Sequence, residues 1–170
     1  MASSGHINNL QVNYLLTNNL LVNDITKQKN DIVEILKSGL YRCIDTYSNG
    51  TVKEKTLFII HNLNKNYNFI KYYILDNNTI IISNFTINNN NVIINSTISQ
   101  KNGIIHNRQS KIISTNNNSI KIKYSGYKYY TKIFHENCDA EINLTNYGFE
   151  IIIYDENHNF INKSEYTKLD

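Results

Sequence analysis

Between Phe69 and Tyr124 the chain alternates short runs of Ile, Val, Tyr and Phe with clusters of Asn. It reads FIKYYIL, DNN, TIIISNFTI, NNNN, VIINSTI, SQKNG, II, KIIS, TNNN, SIKIKY. β-Branched and aromatic side chains suit a pleated, half-buried surface, and Asn tolerates the left-handed backbone of tight turns. The spacing predicts successive antiparallel strands joined by short turns. Upstream, Leu40–Tyr47 and Thr51–His61 read as strands around Ser48-Asn49-Gly50, where Asn-Gly supplies the positive φ that a hairpin needs. Asp24–Ser38 is the helix candidate. Ile25, Ile32, Ile35 and Leu36 fall near one face, Asn23 or Asp24 offers an N-cap, and Gly39 stands just past the end. A lone helix of this length is marginal in water, so it must pack on the sheet.

The remaining segments extend the pattern. Leu10–Val22 predicts one or two short strands, and residues 62–68 (NLNKNYN) a polar loop that could mark an internal boundary. Lys128–Phe134, Ala140–Leu144, Phe149–Tyr154 and Phe160–Tyr166 predict further strands, with a turn over Asp155–Asn159. The expected fold is mainly β: an antiparallel β-sandwich or meander with one N-terminal helix packed on the sheet. Residues 7–170 form a single domain in this reading, and Met1–His6 (MASSGH) looks like a remnant of recombinant expression.

Composition narrows the class. With 41% hydrophobic and 18% charged residues, a chain of 170 residues is globular and long enough to bury a core. Its polarity comes from Asn, about thirty of them, beside 13 Tyr and no Pro or Trp, a bias that AT-rich codons of a microbial genome would produce. A net charge of +3 with scattered Lys argues against nucleic acid, whose binders carry a basic stripe. No apolar run approaches the roughly 18 residues of a spanning helix, and the N-terminus lacks the layout of a secretory signal. The chain could still be a piece of a larger surface or secreted protein, which leaves its compartment open. Cys43 and Cys138 are too few for a disulfide framework and fit two free, buried thiols, although pairing stays open. No cofactor motif is present in the sequence.

Three stretches carry candidate chemistry. His135, Cys138 and the acidic residues Glu136, Asp139 and Glu141 crowd into seven positions, but zinc needs about four converging ligands and no second paired motif stands elsewhere. His135 and Cys138 are therefore weak metal candidates beside the plainer reading, a polar turn. There is no nucleophile elbow or Gly-rich phosphate loop, and His106-Asn107-Arg108 matches only a fragment of a nuclease motif, so no enzyme is expected. In Lys121–Lys132 (KIKYSGYKYYTK), Tyr127, Lys128, Tyr129 and Tyr130 interleave aromatic and cationic groups that suit a stacked sugar ring or base. Asn116–Asn118 are hydrogen-bonding neighbours in that reading. The competing one makes these Tyr ordinary strand residues.

The C-terminal fifty residues resemble the interleukin-like EMT-inducer domain. The resemblance rests on Gly148, the apolar strand Phe149–Tyr154 ending at Asp155, a short turn, and a second strand Ile161–Tyr166 followed by Thr167. Tyr147 stands where that family has Arg, and Tyr166-Thr167-Lys168 where it has Phe-Asp-Thr. The resemblance implies a β-sandwich of the kind found in secreted proteins and in stems of glycan-processing enzymes. The function expected is thus a non-catalytic binding module that recognises carbohydrate in surface-glycan biosynthesis or recognition, with a glycan or protein partner. The alternative is a structural or assembly component, as of a phage or toxin complex, acting through an oligomer interface.

Overall fold

The computed structural model of the chain describes residues 26–63, 68–88, 91–101, 103, 105–127 and 134–170. A helix, α1, covers residues 26–35. Ten strands follow among the described residues: β1 Gly39–Tyr47, β2 Val52–Leu63, β3 Asn68–Ile74, β4 Thr79–Asn88, β5 Asn91–Ser99, β6 Ile105–Thr115, β7 Ser119–Tyr127, β8 Phe134–Thr145, β9 Gly148–Tyr154 and β10 Phe160–Lys168. Each pairs antiparallel with the next, and β10 pairs with β1 from Tyr41↔Lys168 to Tyr47↔Asn162. The sheet is a closed up-and-down barrel.

Two expectations are corrected here. The sheet is not an open sandwich or meander, because the last strand seals against the first and leaves no edge. The helix does not lie across the face of a sheet. Its Ile32 and Ile35, with Leu36 just beyond, enter one core with Tyr41, Cys43, Leu57, Ile59 and Phe149, closing one end of the barrel. The expected strands match in place, with one exception: residues 135–141 are not a turn but part of β8, with Asn137 at φ 54°. Residues 106–110, which lie between two apolar runs and received no assignment, join them into β6. Residues 62–68 connect β2 to its partner β3. The strand expected over Leu10–Val22, and most of that over Lys128–Phe134, lie outside the described residues.

Period-two alternation gives the barrel its polarity. Tyr41, Cys43, Leu57, Ile59, Ile70, Phe85, Val92, Ile120 and Phe149 are buried inside. Outside, Lys123 faces Asp139 at 3.7 Å and Lys163 bridges Glu150 at 3.0 Å and Glu165 at 3.2 Å. Among the described residues no helix is long and apolar enough to cross a membrane. Gly148 is fixed by sterics: a Cβ there would stand 2.1 Å from the backbone oxygen of Tyr166 on the neighbouring strand.

Polar bonds pin the plug. Thr115 Oγ1 donates to Asp31 at 2.9 Å, Tyr41 Oη donates to the Lys37 carbonyl at 2.8 Å, and His61 Nε2 donates to the Leu36 carbonyl. Because a carbonyl only accepts, His61 Nε2 carries the proton, and its buried Nδ1 has no partner. Burial lowers the His61 pKa below 6.5, against the pull of the Leu36 bond. The folded chain thus prefers neutral His61 while the unfolded chain protonates normally. Its stabilisation is present above about pH 6.5 and is lost as pH falls through the depressed folded value. Thermal unfolding midpoints should therefore drop with acidification in the wild type more steeply than in His61→Gln, which keeps a donor without the titration.

Candidate functional site

Ten strands enclose more space than inward side chains fill; about eight already give an interior that side chains alone can pack. Two adjoining chambers occupy the lumen. The upper one, about 220 Å³, lies towards the β1–β2 and β3–β4 turns and is lined by Asp45, Lys55, Asn77, Gln100, Arg108 and Asn162 among others. The lower one, about 180 Å³, lies against the plug and is lined by Ile32, Leu36, Ile70, Phe85, Ile94 and Ile120 among others. Ile81, Ile98, Arg108, Ile151 and Tyr166 belong to both and form the waist. Together the chambers fall within the roughly 300–1,000 Å³ of small-molecule sites, which favour the mouths of barrels.

The upper chamber holds a polar network built across the seam where the barrel closes. Asp45 on β1 and Ser164 on β10 are direct register partners, and the Ser164 hydroxyl donates to Asp45 Oδ1. Lys55 Nζ on β2 reaches Asp45 Oδ2 at 2.8 Å, and Asn162 Nδ2 approaches Ser164 Oγ at 3.4 Å. Cys43 Sγ lies 3.5 Å from Asp45 Oδ1. Burial pushes the Cys43 thiol up to about 12, with Lys55 pulling the other way, so it is a weak donor and not a nucleophile. Burial likewise holds Tyr124 and Tyr166 well above the usual phenol range, keeping both as protonated donors. Below them Tyr166 stacks on Phe149 at 4.3 Å, and Phe149 meets Tyr41 edge-on at 5.3 Å.

Opposite the seam, Ser83 on β4, Ser96 on β5 and Arg108 on β6 form one register row. The two hydroxyls lie 2.8 Å apart, and the Arg108 guanidinium stands 5.4 Å from the Tyr124 ring centroid. The Arg108 Nε is buried without a hydrogen-bond partner.

The residues singled out in the sequence fare differently. Tyr127 ends β7, paired with Phe134, at the same barrel end as the upper chamber. Lys128, Tyr129 and Tyr130 follow it in the β7–β8 connection, outside the described residues. Asn116–Asn118 form the β6–β7 turn at the opposite end, where Asn116 Oδ1 accepts from the Ser119 amide at 2.8 Å. The nine residues of β7, roughly 25 Å or more, keep that turn away from Tyr127, so the expected neighbourhood does not form. Cys138 is buried against Tyr124 and Ala140, neither cysteine is joined in a disulfide, and the His135 side chain lies outside what is described. Among the described residues no three His, Cys, Asp or Glu side chains cluster for a metal.

The sequence reading passed over Asp45, Lys55 and Ser164, and met Arg108 only within the His106-Asn107-Arg108 fragment. For Asp45 the signal existed, since a carboxylate in phase with Tyr41 and Cys43 must face inwards.

The Asp45–Lys55 pair gives a direct test. Asp45 is 5% exposed and Lys55 23%, so removing the cation strands a buried charge. Lys55→Met should lower unfolding free energy by up to about 3 kcal/mol, the low end for breaking a buried pair. Adding Asp45→Asn should restore most of it in denaturant titrations.

Comparison with protein-family models, with curated proteins and with solved structures finds no match to this chain.

Proposed function

We propose that this protein is a non-catalytic binding barrel that holds one small amphipathic molecule in its lumen. The observation that carries this reading is the pair of adjoining chambers, polar near the strand turns and apolar against the helix. A molecule lying along the barrel axis would meet hydrogen-bonding groups at one end and Ile side chains at the other, the usual division of labour in such pockets. The buried, protonated thiol and phenols suit recognition rather than covalent chemistry. Assembly by strand addition lacks a template, since closure satisfies both sheet edges.

Titration with a neutral apolar fluorophore tests the reading. One dye per chain should bind, and filling the waist with Ile98→Phe and Ile151→Phe should weaken binding about tenfold or more without loss of fold. Dye affinity unchanged by the filled waist would sink it.

Carbohydrate recognition at the same barrel end is the second reading. It is supported by the strand register, which starts the Tyr127, Lys128, Tyr129, Tyr130 segment there, and by Asn77, Gln100 and Asn162 nearby. A surface-glycan role and the C-terminal likeness to the interleukin-like EMT-inducer domain belong to this reading. It predicts glycan-array signals that disappear when Tyr129 and Tyr130 are changed to Ala; an empty array would end it.

A further inference from the structure

We infer that the molecule held in the lumen carries a single carboxylate, and that Arg108 is the group that binds it; this rests on the lumen-binding reading above. Among the described residues, the charged side chains lining the two chambers are Asp45, Lys55 and Arg108. Asp45 is committed, with Lys55 at 2.8 Å on one oxygen and Ser164 on the other. That leaves one positive charge in excess. Among the described residues no carboxylate stands within ion-pair distance of Arg108, and its buried Nε has no partner.

An arginine keeps its charge, and Arg108, half-buried in the wall, holds that charge partly withdrawn from water at some cost. The Tyr124 ring face, 5.4 Å away, offsets only part of that cost. A carboxylate offsets it fully, because the guanidinium fork matches two carboxylate oxygens with parallel hydrogen bonds. A monoanion also leaves the lumen neutral, whereas a phosphate dianion would leave one negative charge in excess.

The surroundings fit the same head group. Ser96 is the register partner of Arg108, and Ser83 is the partner of Ser96. Two hydroxyls sharing one hydrogen bond of 2.8 Å keep one proton free to donate beside the guanidinium. Arg108 sits at the waist, so a head group bound there leaves the apolar body to enter the lower chamber. About 180 Å³ of Ile, Leu and Phe surface suits a compact or short hydrocarbon.

Decanoate, decanol and decylamine have the same chain and differ in head group. In calorimetric titrations of the intact protein at pH 8, decanoate should bind roughly tenfold or more tighter than decanol, and decylamine weakest. Arg108→Met should abolish the preference for decanoate while decanol affinity stays unchanged. Decanoate should raise the unfolding midpoint of the wild type by more than that of Arg108→Met, while decanol raises both alike. Arg108→Gln serves the same comparison if the Met variant does not fold. Equal affinity for decanoate and decanol, or a preference that survives both substitutions, would overturn the assignment while leaving the binding barrel standing. If none of the three binds, and dye binding ignores the filled waist, the barrel reading falls with it.

Discussion

Everything in this molecule depends on the first described strand finding the last. Pairing of β1 with β10 joins residues about 120 positions apart, from Tyr41↔Lys168 to Tyr47↔Asn162. Without it the other strands make a curled sheet with two free edges and an interior open to water. With it, Tyr41, Phe149 and Tyr166 stack across β1, β9 and β10, and Asp45 acquires Ser164 as a partner. The seam is held by apolar contact near the plug and by charge and hydroxyl groups near the other end.

Closure also creates the lumen, and the lumen has a cost. The lower chamber leaves about 180 Å³ unfilled among Ile, Leu and Phe side chains, forfeiting the dispersion contacts that a packed core would make there. Net stabilities of domains are only about 5–15 kcal/mol, so such a void is a large concession. Larger side chains at a few waist positions would remove it. Instead Ile81, Ile98, Ile151, Arg108 and Tyr166 stand there and leave the space open. The helix segment, tied down through Asp31, Leu36 and Lys37, adds the Ile32 and Leu36 side chains to the wall of the lower chamber.

Local order was plain in the sequence and long-range order was not. Asn-Gly at residues 49–50, the Asn clusters and the Ile runs each report on a turn or strand through side-chain sterics within a few residues. Closure depends on strand number, twist and the meeting of distant segments, which no local pattern encodes. The helix was visible from its spacing, but whether it covers a sheet or plugs a barrel follows from closure. Gly148, the anchor of the C-terminal resemblance, has a local steric role that any tight β9–β10 approach would demand. The site was hidden for a related reason: Arg108 and Ser110 put polar side chains on the inward face of β6, where period-two reading expects apolar ones.

The overlap of site and seam links binding to folding. Asp45, Asn162, Ser164 and Tyr166 line the upper chamber and also belong to the two strands that close the barrel. A molecule that occupies the lumen binds only the closed form, because an opened seam destroys both chambers. Mass action then stabilises closure in proportion to the logarithm of ligand concentration over its dissociation constant. The empty barrel leaves its chambers unfilled and the Arg108 Nε without a partner among the described residues; under the lumen-binding proposal a ligand would supply both contacts. What looks like poor packing in the isolated chain is therefore the free energy by which a ligand of the right shape and charge can complete the fold.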